Sequence, residues 1–589
     1  MKSTTLTIRL EAVAYPVILL VGAWIRVSNL GWPPLSDAEA RQALAASALA
    51  GSPSPFDAGL DKPPLGSAYK VTSAILFQLF GSSDTVARAW PAIGGVALCL
   101  LPLVARRRLG VGTSLVLSAL LSFSPVMVTV SRQAGGTGLA GLGFLGFLLL
   151  LIGREPAGSG MRRTTWATAF AALALTSGPA WVQGLVGLGL GVGFTAIWRT
   201  RQEDPSPVHE GFSFSRRDLM IVLLLVLGIA TGLGLNPGGA ADTFESLAGW
   251  LSGWSASAGL PILSALLILP VYEPLLLVFG FIGAVISFRS KDMIGAASAF
   301  WALGALIAAA IFPSRTALDL MWVAIPSAYL ASRGVIVLLE ALLSERDWLR
   351  FLGMTAAFVG LAAFIYLQLA AYASGLDVEL AVLDPTLRIG IIFVALLISV
   401  VLVVLFGTGW SWSASGTALG VAILGLLSAI SVSSIIRLNF VRQAAEGGQL
   451  WQSRVAAVGL HQLAAGLDFL SRANLEDPGG LTLSVEGSAP PSLVWTVRGY
   501  GKEPVSASGQ APPVVLAPSD NRPSLRADYL GQSLAIAEIN NWIGALPLDA
   551  MSWWILHRAP VERDNWVMLV RADVATQGGL TALGSDTIP

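Results

Sequence analysis

Apolar runs of about 20 residues recur along most of this chain, and that is the length an α-helix needs to cross a bilayer. Of its 589 residues, 54% are hydrophobic and 12% are charged, and the mean hydropathy is +0.70. This composition predicts an all-α polytopic membrane protein with about thirteen transmembrane helices. The predicted spans lie near residues 10–28, 85–105, 111–130, 136–153, 164–177, 180–198, 218–236, 265–287, 293–311, 318–340, 351–373, 388–407 and 414–436.

The basic residues between the spans indicate which loops are cytoplasmic. No small-residue cleavage site follows the first apolar run, so that run is predicted to be a retained signal anchor in the plasma membrane, with the N-terminus inside. An odd number of spans then puts the C-terminus outside. With this orientation the inner loops carry Arg106, Arg107, Arg108, Arg154, Arg162, Arg163, Arg199, Arg201, Arg216, Arg217, Arg289, Lys291, Arg346 and Arg350.

The residues after 438 differ in kind from the rest. The stretch 441–473 has apolar residues at helical spacing, and short alternating runs follow at 481–485, 493–497, 514–516 and 566–570. Proline and glycine clusters separate these runs, as is typical of strands joined by turns. We predict a transmembrane domain at 1–438, with its first outer loop at 29–84, and an extracytoplasmic α/β domain at 439–589.

Composition also disfavours several kinds of site. Basic and acidic residues each number 36, so the net charge gives no reason to expect nucleic acid as a partner. The single cysteine, Cys99, cannot form an intrachain disulfide. His209, His461 and His557 lack the spacing of a zinc motif. Carboxylates and arginines beside the apolar runs are therefore the candidates for chemistry.

A short polar stretch after the first span carries two acids, Asp37 and Glu39. Carboxylates at a bilayer surface are costly to desolvate, so they are candidate site residues. Such an acid can take a proton from an acceptor hydroxyl, or hold a metal that helps to do so. Alternatively, Ser36 or Asp37 caps a helix over the alanine-rich residues that follow. The two roles are compatible, because a helix N-terminus also favours an anion.

The loop continues with Asp61-Lys62-Pro63-Pro64-Leu65, in which two prolines predict a rigid turn. Lys62 is a candidate phosphate contact, although an ordinary surface turn has the same composition. Arg88 lies at the outer end of the second span, where a guanidinium can hold a lipid phosphate in a bidentate fork. An arginine in that place can equally anchor the helix among headgroups.

Two more candidates lie near the outer ends of later spans. Glu273 is a site candidate by default because it is an acid at the membrane; a carboxyl bonded to a neighbouring helix is the alternative. Arg315, just outside a later span, could face the same site as Glu273, or it could bind lipid headgroups. The glycines of 141–146 match Gly-x-Gly-x-x-Gly, but they lie inside an apolar run and predict close helix packing instead.

In order and spacing, these pieces resemble the GT-C glycosyltransferase superfamily, especially its protein O-mannosyltransferase-like and aminoarabinose-transferase-like groups. The family has adjacent Asp-Glu after its first span, whereas Ala38 separates Asp37 from Glu39 here, so the family's acid corresponds to Asp37, to Glu39 or to neither. We favour Asp37, because the start of a helix can absorb a shift of one residue. The resemblance rests on Asp37-Ala38-Glu39-Ala40-Arg41, Lys62-Pro63-Pro64-Leu65, Ala87-Arg88-Ala89-Trp90-Pro91-Ala92, Ser131-Arg132, Leu175-Thr176-Ser177-Gly178-Pro179, Tyr272-Glu273-Pro274-Leu275 and Trp495-Thr496-Val497-Arg498-Gly499-Tyr500.

The resemblance implies a GT-C fold and a glycosyltransferase that moves a sugar from a polyprenyl-phosphate donor to a protein, lipid or glycan acceptor on the extracytoplasmic face. Asp37, or Glu39, would be the general base. Lys62, Arg88 and Arg132 would stabilise the departing lipid phosphate. Whether Asp37 and Glu39 hold Mg²⁺ or Mn²⁺ stays open, since related groups differ in metal use. The predicted substrate-binding residues are Asp61, Lys62, Arg88, Arg132, Glu273 and Arg315.

Two other functions stay open. A non-catalytic GT-C-like membrane subunit or scaffold is favoured by the displaced acid and by Ser177 in place of the family's lysine. A lipid or small-molecule transporter more often shows two matching halves and polar, broken helices near the middle of the membrane. The sequence has no convincing internal repeat, so the transporter is the weaker alternative.

Overall fold

The chain folds into a helical N-terminal part followed by a mixed α/β part. The computed structural model describes residues 2–56, 66–152, 160–201, 215–256, 259–375, 385–440, 449–452, 454–475, 479–503, 512–521, 523–525, 527–540, 553–554 and 561–577. The helices of the N-terminal part are α1 Lys2–Val27, α2 Asp37–Leu49, α3 Ser67–Phe80, α4 Asp84–Val104, α5 Arg106–Leu109, α6 Val111–Phe123, α7 Pro125–Arg132, α8 Thr137–Ile152, α9 Gly160–Thr176, α10 Ala180–Thr200, α11 Arg216–Thr231, α12 Gly239–Ser252, α13 Ile262–Tyr272, α14 Pro274–Arg289, α15 Met293–Ile311, α16 Met321–Leu343, α17 Trp348–Gly375, α18 Pro385–Gly409 and α19 Trp412–Asn439, with 3₁₀ turns at Gly232–Gly234 and Ala317–Leu320.

Within the described residues, eight helices are long and apolar enough to cross a membrane, or ten if each of two bent pairs counts as one span. The bent pairs are α6 with α7, at 58°, and α13 with α14, at 83°. Shorter apolar helices lie at Thr137–Leu151 and Thr164–Thr176. The predicted multi-pass membrane protein is thereby confirmed, while the count of thirteen spans stays a prediction.

Glycine lets the short apolar helix α8 approach its neighbour closely. A Cβ at Gly143 would lie 2.6 Å from Ala174 N and 2.7 Å from Phe170 O of α9. Both distances are far below van der Waals contact, so a larger residue would push the two backbones apart. The glycines of 141–146 therefore serve helix packing, as the sequence predicted.

The helix α2 begins where the sequence places a capping signal. The Ser36 side chain accepts from the Glu39 N–H, and the Glu39 carboxylate accepts from the Ser36 N–H. This reciprocal capping box satisfies two backbone donors that a helix start would otherwise leave unpaired. It also fixes opposite directions for two acids: Glu39 points into the protein, and Asp37 points towards the C-terminal part of the chain.

The C-terminal α/β domain is built on one six-stranded sheet in the order β1-β5-β6-β4-β2-β3. The pairs β1–β5, β5–β6 and β6–β4 are antiparallel, while β2 runs parallel to β4 and β3. Helices pack on the sheet around buried residues such as Leu467 and Leu483. The elements are β1 Arg454–Ala456, α20 Gly459–Leu475, β2 Thr482–Val485, α21 Pro491–Val497, β3 Gly501–Lys502, β4 Val514–Pro518, β5 Tyr529–Asn540, β6 Val561–Arg571 and α22 Ala572–Gln577.

Three of the four predicted strands are confirmed, as β2, β4 and β6, and the fourth is wrong. Residues 493–497 belong to α21, because Pro490 and Pro491 open a helical turn and almost every side chain of this turn is buried. A run that is buried all round carries no periodicity to separate strand from helix. Of the predicted helical stretch 441–473, residues 454–456 form β1, the helix begins at Gly459, and 441–448 lie outside the described residues.

A short segment ahead of β1 fastens the C-terminal domain to the membrane helices. Leu450 and Trp451 are buried in the same apolar cluster as the cores of α13 to α16. The Tyr272 hydroxyl donates to Gln449 Oε1 at 2.7 Å and accepts from Leu450 N at 3.2 Å. The domain is therefore held on the helical part by buried apolar contacts as well as hydrogen bonds.

Candidate active site

Glu39 and Arg88 form a buried ion pair at the centre of the polar loop, with 5% and 3% of each residue exposed. Glu39 Oε1 accepts from Arg88 Nε at 2.8 Å and from Ala134 N at 2.9 Å. Glu39 Oε2 accepts from Arg88 Nη2 at 2.9 Å and from Ser36 N and Oγ, both at 3.0 Å. Two carboxylate oxygens offer about four acceptor positions, so this carboxylate is saturated.

Arg88 is saturated as well. Besides its two bonds to Glu39, its Nη1 donates to Leu30 O at 2.9 Å and Pro33 O at 2.6 Å, and its Nη2 donates to Pro34 O at 3.3 Å. All five guanidinium N–H groups are thus engaged. In this structure the pair ties the loop that follows α1 to the start of α4, and no donor of Arg88 is left for a lipid phosphate.

Asp37 is held by two residues of the C-terminal domain. Its Oδ1 accepts from Ser492 Oγ at 2.7 Å and Ser492 N at 3.1 Å, and its Oδ2 accepts from Arg454 Nε at 3.0 Å. Arg454 also binds Asp564 through Nη2. The Asp37 side chain is 24% exposed and that of Glu39 is 6% exposed, so Asp37 reaches further into the open space that both residues line.

That open space is a cavity of about 440 Å³ between the helical part and the C-terminal domain. Asp37 lies at its wall together with the guanidinium groups of Arg41, Arg315 and Arg454. The other polar walls come from Gln42 of α2, from the start of α8 and from Trp451 and Gln452. The cavity therefore joins a carboxylate, which can accept a proton, to cations, which can stabilise a departing anion.

Four further predicted site residues do not line this cavity or are not described, although Arg132 lines a smaller cavity of about 80 Å³ beside it, together with Glu39 and Arg88. Arg132 donates to the carbonyls of Ile25 and Arg26 at the end of α1 and of Ser28 and Asn29 just beyond it. Its guanidinium lies 4.6 Å from the centre of the Phe440 ring. Glu273 is buried at the break between α13 and α14 and lines neither the large cavity nor the smaller one beside it. Asp61 and Lys62 lie outside the described residues.

Glu273 instead joins two broken spans. It accepts from the Ser124 hydroxyl and, at 2.8 Å, from Val126 N, at the bend between α6 and α7. We expect Glu273→Ala to lower the free energy of unfolding in detergent by about 1 to 3 kcal/mol, because two buried donors lose their acceptor. Thermal unfolding of the purified protein measures this. Glu340→Ala, at an exposed site on α16, is the control and should have little effect; equal stability of both variants would contradict the bridging role.

The paired acids do not fit a divalent metal. The Glu39 oxygens are filled by five donors, and the Asp37 oxygens face Arg454 and Ser492. Among the residues that the structure describes, no three His, Cys, Asp or Glu side chains come together as metal ligands. The Asp37–Glu39 pair therefore leaves one open acceptor position, on Asp37 Oδ2, which is too few oxygen ligands for Mg²⁺ or Mn²⁺.

Sequence reasoning missed Gln42, Trp451, Arg454 and Ser492, which the fold brings to Asp37 or to its cavity. Arg454 and Ser492 follow Asp37 by more than 400 residues. The neighbours of Arg454 carry no signal of a site, and the Trp495–Tyr500 motif close to Ser492 predicted a strand and not a contact to Asp37. Arg41 also lines the cavity without being among the predicted site residues, although its place in the Asp37-Ala38-Glu39-Ala40-Arg41 motif was a signal for it.

Fold and site together define a multi-pass membrane protein in which the helical part and the α/β domain border a cavity lined by three arginines and by the acids Asp37 and Glu39. No family model matches the chain, and no curated protein matches it. Among solved structures, it is similar to ArnT from Cupriavidus metallidurans bound to undecaprenyl phosphate, at 14% identity over 88% of this chain and 93% of that chain, with a TM-score of 0.48.

It is also similar to the oligosaccharyltransferase AglB from Archaeoglobus fulgidus in complex with an inhibitory peptide and a dolichol-phosphate, at 13% identity over 86% of this chain and 69% of that chain, with a TM-score of 0.43. Both are GT-C membrane glycosyltransferases, the superfamily that the sequence motifs resemble. With TM-scores below 0.5, these matches do not assign an activity to this chain.

Proposed function

We propose that this protein is a membrane glycosyltransferase that moves a sugar from a polyprenyl-phosphate donor to an acceptor hydroxyl, with Asp37 as the general base. The observation that carries the proposal is the 440 Å³ cavity at which Asp37 meets Arg41 and Arg315. In the proposed orientation the transmembrane domain is 1–438, and the domain at 439–589 lies on the extracytoplasmic face. Nucleotide sugars are absent there, so a donor would arrive on a lipid.

The charges around the cavity favour an anionic leaving group. Arg454 is compensated by Asp37 and Asp564. Among the described residues, no carboxylate lies within ion-pair distance of Arg41 or Arg315. Arg315 donates through Nε to Ala309 O at 3.2 Å and through Nη1 to Leu260 O at 2.8 Å, which fixes its guanidinium at the cavity wall. Two cations without a counter-charge suit a lipid phosphate.

The cavity also offers unpaired groups that suit a sugar or an acceptor. Gln42 Oε1 and Trp451 Nε1 are buried and have no hydrogen-bond partner among the described protein atoms. Buried polar atoms are normally paired, so an acceptor and a donor without partners beside one cavity need an explanation. Both side chains line the cavity, so rotation of either one towards it would bring its unpaired atom to the hydroxyl groups of a bound sugar.

The proposed reaction is a single displacement at the anomeric carbon. Asp37 takes the proton of the acceptor hydroxyl, and the acceptor oxygen forms its bond to the anomeric carbon from the opposite face. The bond between that carbon and the lipid phosphate oxygen breaks, and its electron pair leaves with the phosphate. Arg41 and Arg315 stabilise the charge that develops there. The products are the glycosylated acceptor, the lipid phosphate and a proton on Asp37.

A non-catalytic membrane subunit is the second candidate, and one observation favours it. Both oxygens of Asp37 accept hydrogen bonds from the C-terminal domain, as an acid with a purely structural role would. In that case the motif acids would only hold the two parts of the chain together, and no sugar would be transferred.

Transfer of a labelled sugar from polyprenyl-phosphate donors, measured with the full chain in membranes, tests the proposal. We expect transfer by the wild-type protein and, for Arg315→Gln, a loss of about 10-fold in kcat/KM, since one charge-assisted contact to the phosphate is removed. Arg350→Gln is the matched control, because Arg350 pairs with Asp347 at the exposed start of α17. Folded protein that transfers no sugar from any donor would favour the non-catalytic subunit.

A further inference from the structure

We infer that the C-terminal domain completes the catalytic site, with Arg454 and Ser492 as positioning residues that aim one lone pair of Asp37 Oδ2 into the cavity. The inference rests on the proposed function and adds to it the residues that orient the base. Its basis is the asymmetry between the two oxygens of Asp37.

The first oxygen, Oδ1, is fully occupied. It accepts from both the N–H and the hydroxyl of Ser492, at 3.1 Å and 2.7 Å. Ser492 is buried in the first turn of α21, where its backbone N–H has no partner within the helix and is free to donate to Asp37. Two donors fill both lone-pair positions of Oδ1, so this oxygen cannot accept a proton from a substrate.

Among the residues that the structure describes, the second oxygen, Oδ2, accepts one hydrogen bond, from Arg454 Nε at 3.0 Å. A carboxylate oxygen has two acceptor positions, so one position of Oδ2 stays open on a side chain that lines the cavity. The geometry therefore distinguishes the two oxygens. Ser492 holds the carboxylate from one side, Arg454 sets its rotation from the other, and the open lone pair of Oδ2 takes the acceptor proton.

Arg454 is itself fixed by the sheet. Its Nη2 binds Asp564 Oδ2 at 2.5 Å, and β1 and β6, which carry the two residues, both pair with β5. Asp564 also balances the charge of Arg454. Arg454 therefore orients Asp37 while its positive charge is shared with Asp564. This matters because a base opposite an unbalanced cation would be a poorer proton acceptor.

Further contacts at the end of α21 anchor the domain close to Ser492. Trp495, on the same helix as Ser492, donates from Nε1 to Asp84 Oδ1 at 2.7 Å at the start of α4. The Arg498 guanidinium lies 3.6 Å from the centre of the Trp495 ring and donates to the Ser82 carbonyl. Burial lowers the pKa of Arg498 to about 10, so it stays charged at neutral pH. Docking of α21 thereby brings Ser492 to Asp37.

Steady-state transfer by the purified full chain tests the inference. For Arg454→Gln we expect kcat to fall about 10- to 100-fold, since small misplacement of a catalytic group has effects of this size. The KM for the donor should change less than about twofold, because Arg454 touches the base and not the donor. Arg454→Lys should recover part of kcat, because a lysine keeps the charge and one donor but loses the fork.

Arg472→Gln is the matched control, since Arg472 pairs with Asp468 on the exposed face of α20 in the same domain; its kcat should equal that of the wild type. Thermal unfolding shows whether each variant is folded, and Ser492→Ala repeats the test should Arg454→Gln not fold. A kcat equal to or above that of the wild type in both Arg454→Gln and Ser492→Ala would overturn the inference. If Asp37→Asn still lost transfer in that case, the proposed function would stand. A change in the donor KM alone would also overturn it. Absence of wild-type transfer would instead defeat the proposed function itself.

Discussion

Asp37→Asn is expected to transfer sugar about 10²- to 10⁴-fold more slowly than the wild-type protein, the usual contribution of a general base. Asparagine has nearly the shape of aspartate, so the cavity keeps its form. Its amide has no basic lone pair for the acceptor proton. If the asparagine oxygen keeps the Ser492 bonds, its NH₂ group faces the Arg454 guanidinium and that contact is lost. Initial rates with saturating labelled donor, in reconstituted full-length protein, measure the effect.

Asp347→Asn is the control for this substitution. Asp347 pairs with Arg350 at 3.0 Å, but on an exposed helix start that does not line the cavity. Its rate should match the wild type. If Asp37→Asn kept a rate within about threefold of the wild type, the contribution of a general base would be absent and Asp37 would have only a structural role.

Glu39→Ala is expected to cost about 3 to 5 kcal/mol of unfolding free energy, the usual penalty when one partner of a buried ion pair is removed. The Arg88 guanidinium would stay buried opposite a void, and Ser36 and Ala134 would lose their acceptor. A membrane protein of ordinary stability would fold poorly with such a loss. Thermal unfolding in detergent and the yield of monodisperse protein measure it.

Asp242→Ala is the matched control, because Asp242 pairs with Lys70 at 2.9 Å where both side chains are more than 20% exposed. We expect a loss of at most about 1 kcal/mol there. The double variant Glu39→Met with Arg88→Met should regain part of the stability of Glu39→Ala, since it removes the uncompensated charge. Wild-type stability in Glu39→Ala would contradict the structural role.

Together the two acids illustrate how much local sequence can decide. The motif predicts that Asp37 or Glu39 is the catalytic acid, and it also predicts a helix cap. The capping box turns the Glu39 side chain towards the protein interior. The side chain of the third helical residue folds back on the N-terminus of its own helix, which here begins after Ser36. Asp37, at the first helical position, is left on the outer side of that turn.

The C-terminal domain shows the opposite case. Strands β2, β4 and β6 have apolar runs that predict them, but β5 has a mixed sequence, and it is a strand because its neighbours β1 and β6 pair with it on both sides. The buried turn α21 lacks a periodicity that separates helix from strand. Tertiary contacts decide the conformation of both elements, so local propensity could not predict them.

The sequence by itself determined that this chain is a polytopic membrane protein with a mixed C-terminal domain, because apolar runs of bilayer length and short turn-bounded strands are local properties. It also determined the loop in which Asp37, Glu39 and Arg41 lie. Only the tertiary structure decided that Arg88 is saturated by Glu39 and loop carbonyls, that Glu273 joins two bent spans, and that Arg454 and Ser492 hold Asp37. Hydrogen bonds between residues hundreds of positions apart depend on how the elements pack, and no pattern along the chain records that packing.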